Sequence, residues 1–325
     1  METSMTFRHL TLPEEKWKTL PLYEASFPED RGDYANYYYQ WKCLDNEILV
    51  LTTPGLASEK NRENSTEEIC AMLHLNPYEM WISTQSVTLH YIVAVATALS
   101  HRRQGCMRTL MEQAFCWMYQ QEEPFTYLMP ADTVYYTPFG FRVIYDQTPV
   151  SFSSEIEKAN QQAKEQFDVV TLRNENYLRF LEAEPKPETT SEATVQEACK
   201  QSGDDQPEGK PGEDSAREKD SWKPQIMCRI IHAKHFLECL RAYSRQNINL
   251  FLKDPLITDN TGWYCWQVDQ FTSRVQRLEE DSFPTGDCLT IGIEDLAEQL
   301  FGITPLHPSL SQIKVLKRIC INEEV

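Results

Sequence analysis

The stretch "HYIVAVATALSHRRQGCMRTLM", residues 90–111, decides the fold. Its first eight residues are largely apolar and β-branched, the composition of a buried central strand. From Cys106 onward the period changes. Cys106, Met107, Leu110, Met111, Ala114, Trp117 and Met118 share one face of a helix. Between strand and helix lies the polar turn "ALSHRRQG". A strand, a tight turn and a helix N-terminus expose N–H groups that the helix cannot satisfy, with the positive end of the helix dipole behind them. Gly105 lets the backbone approach an anion with no Cβ in the way. Arg103 and Arg108 add charge-assisted donors. The stretch therefore predicts a phosphate site. No Gly-Lys-Ser/Thr follows and only one glycine is present, which excludes the nucleoside-triphosphate loop and the dinucleotide turn.

Outward from this stretch the pattern is mixed α/β. Upstream, "MTFRHL" reads as a strand, "PEEKWKTLPLYEASF" and "YANYYYQWKCL" as helices, and "NEILVLTT", "EEICAMLHLNPYEMWI" and "SVTLHYIVAVAT" as strands, with a bend expected at "NPYE". Downstream come the helix 106–120 and strands at "FTYLMPA" and "GFRVIYDQ", a strand–helix–strand crossover. "FDVVTLRNENYLRFLEAE" adds a strand and a helix. Residues 182–222 are different in kind. Over 182–220 there are 12 acidic and 5 basic residues and almost no large apolar ones, so the segment reads as a disordered acidic linker. After it, "QIMCRII", "AKHFLECLRAYS", "NINLFLKD", "GWYCWQVD" and "DCLTIGIEDLAEQLFG" make a second, smaller α/β unit.

The net charge of −18 argues against nucleic acid as a partner, because phosphate backbones need a basic surface. No run approaches the roughly 18 apolar residues of a membrane helix, and no secretory layout opens the chain. Ten scattered cysteines without a C-x-x-C pair suggest reduced thiols and a cytoplasmic protein. "HAKH" (232–235) sets two histidines one turn apart with no third ligand at a convincing spacing, so no metal is expected.

A second motif narrows the reading. "MPADTVYYTPFGFRVIY" (129–145) carries Tyr-x-x-Phe-Gly-Phe. Arg-x-x-Gly-x-small after a strand, followed at this distance by such a tyrosine, resembles the GNAT superfamily of N-acetyltransferases. "EASFPED", "IGIEDLAEQLFG" and the C-terminus extend the likeness, so that the chain resembles the Eis (enhanced intracellular survival) type. The resemblance implies a GNAT mixed sheet flanked by helices over 1–147, a short remnant of a second GNAT-like region over 148–181, the linker 182–222, and a sterol-carrier-like domain over 223–325. It implies an N-acetyltransferase that moves the acetyl group of acetyl-CoA to a primary amine, small molecule or peptide, without a metal. The rival expectations are a non-catalytic acetyl-CoA sensor and a lipid-binding carrier or scaffold. A homo-oligomer is left open.

The resemblance also assigns roles. Val95, Ala96 and Thr97 lie along the pantetheine arm, like an added strand. Arg103, Gln104, Gly105, Cys106, Met107 and Arg108 wrap the pyrophosphate. Ala131 and Asp132 touch the cofactor again. Tyr136 protonates the departing thiolate, with Tyr135 the neighbour if the register shifts by one. The family's base is the carboxylate of the last residue, here Val325, with Glu324 its substitute. Phe27 and Glu29 line the amine pocket.

Overall fold

The computed structural model describes residues 5–54, 67–185, 224–279 and 282–322. Strands β1 (Thr6–Leu10), β2 (Glu47–Pro54), β3 (Glu67–Ile82) and β4 (Gln85–Thr97) form an antiparallel meander. Four short helices, α1 (Pro13–Lys16), α2 (Leu20–Ser26), α3 (Asp33–Gln40) and α4 (Lys42–Asp45), join β1 to β2. Helix α5 (Cys106–Gln120) then crosses to β5 (Phe125–Leu128), which runs parallel to β4.

Alternation along the strands divides the interior. Leu49, Leu51, Leu73 and Leu75 pack with Leu110, Met111 and Ala114 of α5. Their neighbours Ile48, Val50 and Met72 pack instead with Leu22, Tyr23, Tyr38 and Tyr39 of α2 and α3. Successive residues of a strand face opposite sides of a sheet, so α5 covers one face and α2–α3 the other.

The rest of the chain closes this sheet. It comprises β6 (Arg142–Asp146), α6 (Ile156–Gln166), β7 (Val169–Thr171), α7 (Glu175–Ala183), β8 (Gln225–Ile230), α8 (Ala233–Glu238), β9 (Gln246–Lys253), β10 (Gly262–Val268), β11 (Ser273–Arg277), β12 (Cys288–Gly292), α9 (Ile293–Leu300) and β13 (Ile319–Cys320). The first sheet runs β1-β2-β3-β4-β5-β8-β6, with β7 pairing both β3 and β13. The second runs β11-β10-β9-β12. A smaller α/β unit is thus present, but the division expected at 223 falls just before a strand of the first sheet: β8 lies between β5 and β6. One apolar core holds Met111 and Tyr127 of the first sheet together with Leu250 and Trp266 of the second. All but the first four residues of the expected linker lie outside the described residues, and α7 runs into its start at Ala183.

The expected bend at "NPYE" is absent, because β3 continues through Asn76–Glu79. Proline survives there for a positional reason. On one side Pro77 faces His90 of β4; on the other, β2 has ended opposite Leu75 and β7 begins only at Met80. Pro77 occupies a gap in the ladder where a missing N–H costs nothing.

Candidate active site

The site is built around a strand with one closed and one open edge. β4 pairs with β3 along nearly its whole length. It meets β5 at a single position, Tyr91 opposite Tyr127. Beyond Tyr91, residues 92–97 have no strand on the β5 side among the described residues. The open stretch is also bulged. The register shifts between Met72 and His74, so that Ala94 and Val95 together face Leu73, and Ala94 takes the left-handed conformation at φ 51°. A bulge of this kind re-aims backbone groups next to a site. Val95 and Thr97 are half-buried and Ala96 is buried.

The strand ends on a fixed point, where Ala98 N–H donates to Cys70 O at 2.8 Å. The turn that follows is held from within. Arg102 Nε donates to Thr97 O, Gln104 Nε2 donates to Ser100 O, and the Cys106 thiol reaches His101 O. Arg103 (φ 62°) and Gly105 (φ 81°) are both left-handed. No side chain caps α5, and its first bond is Thr109 N–H to Gly105 O. The N–H groups of Arg103 through Arg108 therefore meet no acceptor among the described residues. Arg103, Gln104, Gly105 and Arg108 are exposed, whereas Cys106 is buried and Met107 half-buried. Uncapped donors at the head of a 15-residue helix, beside two exposed arginines, are a seat for an anionic group.

Across the opening stands the turn after β5. Ala131 and Asp132 are exposed, and Asp132 Oδ1 accepts from Val134 N–H at 2.9 Å. Tyr135 points outward, 59% exposed. Tyr136 points inward, packed on the main core and edge-on to Phe141. Burial pushes its phenol up to about 12. Arg108 lies over the Phe139 ring at 5.3 Å, which fixes the first turn of α5 against this tyrosine turn.

Arg229, Asp30 and Tyr34 were not among the expected site residues. Gly140 is left-handed, and a Cβ there would lie 2.6 Å from Arg229 Nη1. Arg229, fully buried on β8, pairs with buried Asp254 at 2.8 Å and lies over the Phe115 ring, so it fills the space beneath the tyrosine turn. On the α2–α3 side Glu29 is exposed. The inward acid is its neighbour Asp30, which accepts from Tyr23 OH at 2.8 Å; burial raises its carboxyl. Phe27 and Tyr34 pack against the same apolar cluster that holds Ala94 and Ala96 of the bulged stretch. Burial raises the Tyr34 phenol, and Glu184, Asp30 and Tyr91 all act on it electrostatically. The sequence signal for Tyr34 and Asp30 was the aromatic run "YANYYYQ" close behind "PED". Arg229 had none.

Glu324 and Val325 lie outside the described residues; the last described residue, Asn322, donates to Thr148 O and accepts from Tyr145 OH. A cavity of about 700 Å³ lies elsewhere, between α2 and the ends of β1–β3, with Leu10, Leu22, Val50 and Ile69 in its lining. It shares only Ala98 with the phosphate turn, so its size does not make it the reaction centre. Among the described residues no His, Cys, Asp or Glu group has the arrangement of a metal site, the cysteines are free thiols, and no helix is long and apolar enough to cross a membrane.

Comparison with known proteins shows what this geometry is similar to. Residues 9–144 match the sequence profile of the acetyltransferase (GNAT) domain, the domain of acyl-CoA-dependent transferases. The fold is similar to those of many solved structures, three of them as follows. One is a conserved protein of Enterococcus faecalis described as a probable N-acyltransferase (TM-score 0.63, 13% identity, covering 98% of this chain and 97% of that one). The second is a GCN5-related N-acetyltransferase of Anabaena variabilis (0.59, 16%, 98% of each chain). The third is Eis1 of Mycobacterium abscessus (0.56, 12%, 92% and 90%). At these identities the likeness is one of fold. No curated protein sequence matches the chain.

Proposed function

We propose that this chain is an N-acetyltransferase that moves the acetyl group of acetyl-CoA to a primary amine by direct transfer in a ternary complex. The observation that carries the reading is the single-position junction of β4 and β5, opening toward an uncapped helix N-terminus.

The open edge of β4 over Val95, Ala96 and Thr97 offers amide groups to the pantetheine arm as a neighbouring strand would. The N–H groups of Gly105 through Arg108, with Arg103, take the pyrophosphate. Ala131 and Asp132 close the far side. A backbone N–H of the bulged stretch polarises the thioester carbonyl as an oxyanion donor. The amine nitrogen bonds to the acetyl carbon and the C–S bond breaks. The nitrogen gives its surplus proton to a carboxylate, and Tyr136 OH gives one to the thiolate. Asp30 draws the ammonium toward the opening beside Phe27, with Glu29 at the rim. The base is assigned to Val325, with Glu324 as substitute.

The lipid-carrier reading gains nothing from the second sheet, whose inner residues Leu250, Leu252, Tyr264 and Trp266 are already buried in the common core.

The test pairs calorimetry with thiol release. Acetyl-CoA should bind and release thiol in the presence of an amine. The chain extended by several residues past Val325 should still bind but release none. Absence of binding to folded protein would end the reading; binding without turnover on any amine would leave a sensor.

A further inference from the structure

The tyrosine turn meets the second α/β unit through one buried cation. Arg229 stands on β8, and Asp254 follows the end of β9; both are buried. The Asp254 carboxylate is fully engaged. Its Oδ1 accepts from Arg229 Nη2 at 2.8 Å and from the N–H groups of Leu256 and Ile257 at 3.1 and 3.0 Å, and its Oδ2 accepts from Asn260 Nδ2 at 2.9 Å. Asn260 also donates to Ile231 O at 2.7 Å and accepts from Ala233 N–H at 2.9 Å. The cluster thus ties the loop after β9 to the end of β8 and the start of α8, and one edge of the guanidinium is fixed.

The other edge has no acceptor. Arg229 Nε and Nη1 are buried without a hydrogen-bond partner among the described residues. Packing takes the place of bonds there. The guanidinium lies over the Phe115 ring of α5 at 4.8 Å. Nη1 is 2.6 Å from the position of a Cβ on Gly140, and Glu294 of α9 is 3.4 Å from the same point. From Gly140 the contact runs on to the tyrosine: the Phe141 ring lies 6.0 Å from Phe115 and meets Tyr136 edge-on at 6.1 Å. A buried ion pair is a poor device for stability, since apolar side chains of similar volume often serve as well or better. Donors left without acceptors make it poorer. What a pinned guanidinium does supply is a flat, rigid surface beneath a backbone that carries no Cβ.

We infer that Arg229 is a positioning residue for Tyr136: clamped by Asp254, it forms the floor under the left-handed Gly140 and so fixes the aim of the phenol at the departing thiolate. The inference rests on the acid role proposed for Tyr136 above. Arg229 acts through the turn and not on the reacting atoms. The second unit thereby gains a part in the transfer, as the brace of its acid.

The experiment measures thiol release from acetyl-CoA with three primary amines, an n-alkylamine, an aminosugar and a lysine peptide, and acetyl-CoA binding by calorimetry. It uses the full chain, Arg229→Lys, Gly140→Ala and their double variant, with circular dichroism as the check of fold. Arg229→Lys keeps a cation for Asp254 and withdraws the group beneath Gly140. Its kcat should fall about tenfold or more, the scale of a misaimed catalytic group, with amine KM and acetyl-CoA affinity within twofold. Gly140→Ala should lower kcat about tenfold or more in the wild type but less than about threefold in the Arg229→Lys background, because left-handed strain is common to both and only the clash is lost. Arg229→Lys should add nothing to Tyr136→Phe. If Arg229→Lys does not fold, Arg229→Gln replaces it, since Asp254 keeps three N–H donors of its own. Additive effects in either pairing, wild-type kcat in Arg229→Lys, or equal losses of kcat and affinity overturn the positioning role while the transferase stands. Wild-type turnover in Tyr136→Phe removes the acid, and no release by the wild type removes the transferase; the inference falls with either.

Discussion

The two edges of β4 are made from the same short run of apolar residues and have opposite fates. The β3 edge is laddered almost from end to end and backed by a sealed polar cluster. There Tyr38 OH meets His74 Nδ1 at 2.9 Å and accepts from Asn46 Nδ2, all three residues being buried to 1% exposure or less. The β5 edge is joined once and then released, with a bulge and an uncapped helix beside it. A strand buried on both edges is only structure. A strand buried on one edge is a template, because its unpaired N–H and C=O groups must find partners and a ligand rich in amides can supply them. The closed edge makes the template rigid, and the open edge gives it something to bind.

Chemistry at the open edge gives the largest expected effect. Tyr136→Phe keeps the ring packed and removes the proton, so kcat should fall by ~10²-fold or more, with acetyl-CoA affinity unchanged. Because burial holds this phenol near 12, the acid form persists through the whole accessible range. The pH–rate profile should rise as the acceptor loses its proton and show no alkaline decline attributable to Tyr136 below about 11. Unaltered turnover in the variant would move the acid role elsewhere.

The phosphate turn comes next. Apart from its chain neighbours, no atom of the described residues lies within 4 Å of a Cβ at Gly105, so Gly105→Val meets open space. Its cost has two sources: a left-handed backbone worth about 1–2 kcal/mol against an L side chain, and a branched group shading the free N–H donors. Calorimetry should show acetyl-CoA binding weakened by ~10-fold or more, the scale of one lost charge-assisted contact. Wild-type affinity would mean that the anion does not sit on this helix.

Much of this was legible in the sequence, for reasons that differ by element. The strand 90–97 and the helix from Cys106 announce themselves by a change of hydrophobic period, and the turn between them by its glycine and arginines. The inward turn of Tyr136 follows from a local motif, as Phe-Gly-Phe needs its glycine left-handed. Long-range pairing leaves no such mark. Nothing in "QIMCRI" says that it inserts between β5 and β6 after some eighty residues, or that Arg229 lies beneath Gly140. Asp30 and Glu29 are adjacent and chemically alike, and only the packing of α2 on α3 decides which acid turns inward. Pro77 misled because a proline reads as a break until the missing neighbour strand is known.

The smallest effect belongs to the closed edge and tests whether it is sealed. Burial, chiefly, and the nearby Lys16 ammonium hold His74 down to about 3, so it stays neutral in the folded protein through mild acid. In the unfolded chain a histidine takes up its proton near 6.5. Below that pH the unfolded state binds one proton more than the folded state, so stability falls as pH drops from about 6.5 toward 3, and above 6.5 the residue adds no slope. The limit from one such group is about 1.4 kcal/mol per pH unit. His232, held down to about 4 mainly by burial, acts in the same direction, so the wild-type slope alone does not isolate His74. Comparing urea unfolding of the wild type and His74→Gln at pH 7, 6 and 5 does. The variant loses some stability at every pH, because Tyr38 keeps an imperfect partner, but between pH 6 and 5 its free energy should fall less steeply by about 1 kcal/mol. Parallel slopes would mean that His74 titrates in the folded state as it does in water. Solvent would then reach beneath β3, and the rigidity ascribed to the paired edge of β4 would need another source.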